Sequence, residues 1–206
     1  MALRIGVFLL WAVGASADTS PRRGPEWYPL GVGTTWKYSS QAGDYTVMVV
    51  GRRKIGPVDC AVLEMRTNGK KTATNAVGRD ADGYRVFTSE ETGSASKSGK
   101  PMTVLGLPMK QGSTWTWTGP YSGTDAKVTY TDLGKETIAV LGKNVSCRKI
   151  RSRLELTGVQ FGIDLTTWYA PDKGPVLMRY GYGGAEMGGN RFQMDMKLKE
   201  FLPSRR

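Results

Sequence analysis

The chain has 206 residues, a formal net charge of +11 and no histidine. The missing histidine excludes a Ser-His-Asp triad and a histidine-ligated zinc site, because it removes the commonest general base and the commonest metal ligand. The length suits one large β domain or two small ones, and the basic balance points to anionic neighbours without naming one.

The chain opens with Arg4, an apolar run from Ile5 to Gly14, and Ala15-Ser16-Ala17. This is the pattern of a secretory signal peptide over 1–17. Its apolar run is far shorter than the roughly 20 residues that span hydrocarbon. Cleavage before Asp18 would leave 189 of the 206 residues and a charge of +10, with no transmembrane span. No cysteine follows the run, so a lipid-modified cysteine at this site is excluded. Residues 18–25 read as a flexible leader, and 26–202 as a single β domain. An exported, periplasmic or extracellular protein of a bacterial envelope is expected.

The octapeptide Pro29-Leu-Gly-Val-Gly-Thr-Thr-Trp36 returns 79 residues later as Pro108-Met-Lys-Gln-Gly-Ser-Thr-Trp115. A repeated pattern of Pro, Gly and Trp implies a repeated turn and packing anchor, and so two similar halves, about 27–88 and 102–180. Short runs rich in Val, Thr, Tyr and Trp follow each copy, separated by Gly and Asp turns. Residues 45–50, 60–67 and 83–88 are predicted strands of the first half. Residues 126–131, 137–141, 147–156, 166–169 and 176–180 are those of the second. A final strand is predicted over about 190–201, where Met194, Met196 and Leu198 alternate with Asp195, Lys197 and Lys199. No window holds a capped helical period. These elements predict an all-β fold, a large antiparallel sheet curled into an open or closed barrel. Two small sandwiches joined at 89–101 are the competing arrangement.

Cys60 lies 24 residues after Trp36, and Cys147 lies 32 after Trp115. Two cysteines in an exported chain predict a Cys60–Cys147 disulfide tying the halves together.

With these pieces assembled, the chain resembles the TapB-like group of bacterial exported proteins. The resemblance rests on Trp27-Tyr28-Pro29-Leu30 with Gly33, Trp36 and Tyr38, on Leu107-Pro108-Met109 with Gly112 and Trp115, and on Trp168-Tyr169-Ala170-Pro171 with Gly174 and Val176. It implies an all-β envelope domain and no particular reaction. It does not imply the cysteine pair, which rests on the compartment alone.

No motif specifies chemistry, so no catalytic residue, metal site or cofactor is predicted. Ser94-Ala-Ser-Lys97 has the S-x-x-K form but lacks the partner motifs of penicillin-binding enzymes. Asp80-Ala-Asp82-Gly83 reads as a hairpin turn, lacking the further ligands of a calcium loop. Asn144-Val-Ser146 has the form of a glycosylation sequon and reads as part of a turn. The Gly-rich stretch 181–189 lacks a phosphate-loop lysine. Aromatic residues in strands are mostly core, and Arg52-Arg-Lys54 and the Lys149, Arg151, Arg153 face are mostly solvated surface. The residues left as candidate ligand contacts are Tyr38, Trp117, Tyr169, Arg151 and Arg153. A non-catalytic envelope module is expected, binding an envelope protein, an anionic lipid or a polymer, and not nucleic acid. The alternative is a carrier holding a lipid or other apolar ligand within the curled sheet.

Overall fold

The computed structural model describes residues 25–91, 100–121, 124–158, 162–183 and 192–205. The expected signal peptide and most of the leader, the S-x-x-K tetrapeptide and most of the Gly-rich stretch lie outside these residues. The first six strands are β1 (Thr35–Ser40), β2 (Gly43–Ile55), β3 (Val58–Thr67), β4 (Lys70–Asp80), β5 (Gly83–Glu91) and β6 (Met102–Gly106). The remaining six are β7 (Thr114–Tyr121), β8 (Thr124–Val140), β9 (Lys143–Leu156), β10 (Gly162–Ala170), β11 (Gly174–Gly183) and β12 (Phe192–Leu202).

All twelve form one antiparallel sheet in the order β6-β5-β4-β3-β2-β1-β12-β11-β10-β9-β8-β7. The sheet curls into a nearly closed barrel, and the two-sandwich arrangement is not adopted. Every neighbouring pair is laddered except β6 and β7, the two ends of the sheet. Across that seam the β7 tryptophans reach the backbone of the β6 side. Trp115 Nε1 donates to Thr103 O at 2.8 Å, and Trp117 Nε1 donates to Lys100 O at 3.0 Å.

The two halves repeat in backbone detail. Gly33 and Gly112 both sit in the left-handed region, at φ 89° and 84°, which favours glycine because a Cβ is disfavoured there. Gly33 N donates to Val49 O and Gly112 N to Asp132 O, both at 2.8 Å. Thr34 N bonds Gly31 O and Ser113 N bonds Lys110 O, both at 3.0 Å. A bulge follows each turn's partner strand, between Val49 and Gly51 in β2 and between Asp132 and Gly134 in β8. A second pair of bulges falls at Ala76/Val77 in β4 and at Trp168/Tyr169 in β10.

The same equivalence corrects the expected disulfide. Cys60 in β3 and Cys147 in β9 hold matching positions, each thiol directed at the carbonyl two residues earlier, Val58 O and Val145 O. In sheet order β3 and β9 are six strands apart, a path of roughly 29 Å at about 4.8 Å per strand. A disulfide needs Cα atoms about 5.5 Å apart. Both cysteines are free and buried, and burial pushes the Cys147 thiol up to about 11.

Candidate ligand-binding interior

Alternation along each strand sends one set of side chains inward. In β9, Arg148, Ile150, Ser152 and Leu154 alternate with the more exposed Lys149, Arg151 and Arg153. Register then carries the inward set to Tyr169, Thr167, Leu165 and Ile163 of β10. A barrel of about 8 strands is just filled by its own side chains, so a 12-stranded one encloses more room.

At one end, the turn end, that room is plugged with aromatics. The segment before β1 turns Tyr28 inward, where its ring lies 5.7 Å from Trp36, 6.0 Å from Tyr84 and 6.3 Å from Tyr169. Trp36 and Tyr38 are fully buried, and Tyr38 Oη donates to Pro175 O at 2.8 Å. Desolvation by burial pushes the phenols of Tyr28, Tyr38 and Tyr169 above their ordinary range, since each lacks water to stabilise a phenolate.

At the opposite end, the loop end, the inward set is apolar but only half-buried. Tyr45 of β2, Met65 of β3, Leu154 of β9, Leu165 of β10, Tyr180 of β11 and Met194 of β12 line it. These positions face the same interior as the plug and, Leu165 apart, pack against the buried core, with the Tyr45 ring 6.3 Å from that of Tyr38. The interior is thus apolar along its length, fully buried at the turn end and only half-buried at the loop end.

The five predicted contact residues do not converge. Tyr38 and Tyr169 belong to the plug, while Trp117 lies across the barrel at the seam. Arg151 and Arg153 point outward. Arg153 lies 3.2 Å from Asp164 and 3.3 Å from Glu155, whereas Arg151 is exposed with no carboxylate partner among the described residues.

The outer face neutralises much of its own charge. Lys149 pairs with Glu136, Arg179 with Asp195, Lys37 with Glu200 and Lys199 with Asp44, at 2.7–2.9 Å. The Lys149 ammonium and the Trp168 indole hold the Glu136 carboxyl below the usual range, and Arg179 does the same for Asp195. Trp168, only 3% exposed although outward-facing, lies under both cations, 5.0 Å from Lys149 and 5.6 Å from Arg179. Asp80 and Asp82 of the expected hairpin turn are engaged by Arg85, and Asp80 Oδ1 accepts from Asp82 N and Gly83 N.

Sequence reasoning missed the buried ion pair. Asp132 in β8, 1% exposed, accepts from Arg148 Nε at 2.8 Å and Nη2 at 2.6 Å, while its other oxygen accepts from Gly134 N at 2.9 Å. Its signal was present. Val128, Tyr130 and Asp132 share one face of an alternating strand, so the carboxylate had to enter the core.

No family model and no curated protein matches the chain, so the TapB-like resemblance rests on its motifs alone. Solved structures that match its shape include the following two. One is a provisionally assigned lipoprotein from Parabacteroides distasonis, 10% identical with a TM-score of 0.51 over 88% of this chain and 100% of that one. The other is a provisionally assigned exported protein with a YmcC-like fold from Bacteroides fragilis, 12% identical with a TM-score of 0.51 over 86% and 99%. The chain is similar to both in fold. At such identities the likeness carries architecture and no residue role.

Proposed function

We propose that the protein is an exported, non-catalytic component of the bacterial cell envelope whose barrel holds an apolar ligand at the loop end. The observation that carries this reading is the half-buried inward wall of Tyr45, Met65, Leu154, Leu165, Tyr180 and Met194, facing an interior plugged at the far end. Ligand sites of this kind are concave, mostly apolar and largely preformed. The signal-like N-terminus, the TapB-like motifs and the exported and lipoprotein assignments of the two structural neighbours support the compartment. The absence of histidine supports a binding role, as does the engagement of Asp132, Glu136, Asp164 and Asp195 in ion pairs. Recognition of an anionic lipid or polymer by the outer sheet is the weaker reading, because that face pairs its own cations.

A titration of the mature protein with an apolar fluorophore such as N-phenylnaphthylamine, beside mass spectrometry of its organic extract, tests this. Saturable binding is expected, weakened about tenfold or more in Leu165→Glu and Met194→Glu, a loss of at least about 1.4 kcal/mol. Circular dichroism should show both variants folded. An absence of saturable binding together with an empty extract would sink the ligand reading. Turnover of an ester, peptide or glycan, abolished by a single substitution, would sink the non-catalytic one.

A further inference from the structure

A polar pocket, distinct from the apolar wall, opens at the turn end. It has a volume of about 350 Å³ and is formed by the first repeat copy with β2, β3, β4, β5 and the C-terminal tail. From its residues we infer a binding site for a small zwitterion, a molecule carrying one ammonium and one carboxylate, such as a free α-amino acid.

The charges in this pocket sort into one satisfied pair and two unpaired groups. Arg52 is engaged by the protein through three of its five N–H donors: Nε lies 2.8 Å from Asp59 Oδ2, Nη1 donates to Leu30 O at 3.1 Å, and Nη2 donates to Asp59 O at 3.2 Å. Arg79 has no carboxylate partner among the described residues and lies over the Tyr84 ring, 5.4 Å from its centroid. Glu26 is held by its backbone, whose N–H donates to Asp172 Oδ1 at 2.8 Å, while its own carboxylate pairs with no described cation. One free guanidinium and one free carboxylate in a single pocket are complementary to a ligand bearing both opposite charges. A lone anion would meet Glu26, and a lone cation would meet Arg79.

One buried hydroxyl of the lining points the same way. Tyr84 is 1% exposed, and its Oη, approached by the backbone N–H groups of Trp27 and Tyr28, has no acceptor for its own proton. Behind the lining, Thr34 is 0% exposed with an unpartnered Oγ1, 3.6 Å from where a Cβ on Gly31 would stand. A buried polar group without a partner is costly, so native chains rarely leave one. The repeat supplies an internal control. At the position matching Thr34, Ser113 Oγ donates to Lys110 O at 2.7 Å. In the second copy the turn therefore satisfies its own hydroxyl, and Lys110 stands where the first copy has Gly31. That glycine leaves space that a Cβ would take from Ser204.

In the assigned pose the ligand carboxylate meets Arg79 and the Tyr84 hydroxyl, and its ammonium meets Glu26. Charge-assisted bonds of this type are the stronger class of hydrogen bond.

The test is an NMR titration of the full mature protein with alanine, beside propionate and ethylamine, each of which keeps one of its two charges. Alanine is expected to shift the amides of residues 26–34 and those of Arg52, Arg79 and Tyr84 saturably, in the millimolar range or tighter. Propionate and ethylamine should bind about tenfold more weakly. Tyr84→Phe and Arg79→Gln should each weaken alanine about tenfold, with an amide spectrum that otherwise overlays the parent. Absent or scattered shifts with alanine overturn the site. Equal binding of all three molecules overturns its zwitterion selectivity, and unchanged affinity in both variants overturns the pose.

Discussion

Asp132 and Arg148 stand where the first half of the chain has Val49 and Ala61. Val49 and Asp132 each close the repeated turn and precede a bulge, and Ala61 and Arg148 each follow the matched cysteine. One half thus fills the position with apolar side chains and the other with an ion pair. Removing one member of such a pair leaves a buried charge, which typically costs about 3–5 kcal/mol, whereas exchanging both for apolar groups is often tolerated. Arg148→Ala is therefore expected to lower the melting temperature by roughly 10 °C, at about 2–4 °C per kcal/mol for a chain of this size. Asp132→Val with Arg148→Ala, which installs the first half's own residues, is expected to melt above Arg148→Ala alone. Thermal unfolding followed by circular dichroism decides it. A double variant no more stable than the single one would show that the two positions are not interchangeable.

At the level of strands, the seam between β6 and β7 is the weak join. β6 has only five residues and β7 carries Pro120, two features that blunt exposed sheet edges against pairing with other chains. In place of a ladder the seam has two indole donors, each worth about 1 kcal/mol net. Trp115→Phe with Trp117→Phe should thus speed amide exchange in β6 about tenfold or more, with β2 and β3 unchanged. Uniform acceleration across all strands would mean that the tryptophans support the whole core and not the seam. Much of this architecture was legible in the sequence, since period-2 alternation marked β9 and β12 and the octapeptide marked the twin turns. Strands β1, β4, β6 and β7 were not; in β4 the inward Ala73 and Asn75 beside Val77 give little apolar signal, and pairing with β3 and β5 is what makes it a strand. Two predicted strands, 126–131 and 137–141, are one strand, β8, bent at the Asp132/Gly134 bulge. The disulfide was misread for an instructive reason. Matched positions in two repeats are carried to separated strands of the barrel, so the equivalence that suggested a bridge argues against one. The candidate contacts failed to converge because alternation separates Arg151 and Arg153 from the inward tyrosines by the thickness of the sheet.

Taken as a whole, the barrel is an up-and-down meander read from the middle of the chain. Starting at β7, each strand pairs with the next through β12; β12 then pairs with β1, and the order continues through β6. The covalent link between β6 and β7 crosses the one place among the described strands where no ladder exists, while the first and last strands meet where one does, with Thr35 opposite Leu202. A circular permutant joining Arg205 to Glu26 through a short Gly-Ser linker, and opened between Met109 and Lys110, should therefore keep every ladder. The cut also spares the Lys110 to Ser113 bonds and the Asp82 to Leu107 bond. Such cuts succeed at exposed positions where few contacts cross. The permutant is expected to fold to the same far-ultraviolet spectrum and to melt within a few degrees of the parent, a change of about 1–2 kcal/mol. A second permutant opened at the β2–β3 turn, between Gly56 and Pro57, cuts inside a long ladder and should lose more. If the two permutants are equally stable, the seam is no more dispensable than any other connection. If only the Met109/Lys110 permutant fails, the β6–β7 link holds the barrel together in a way that the hydrogen bonds do not reveal.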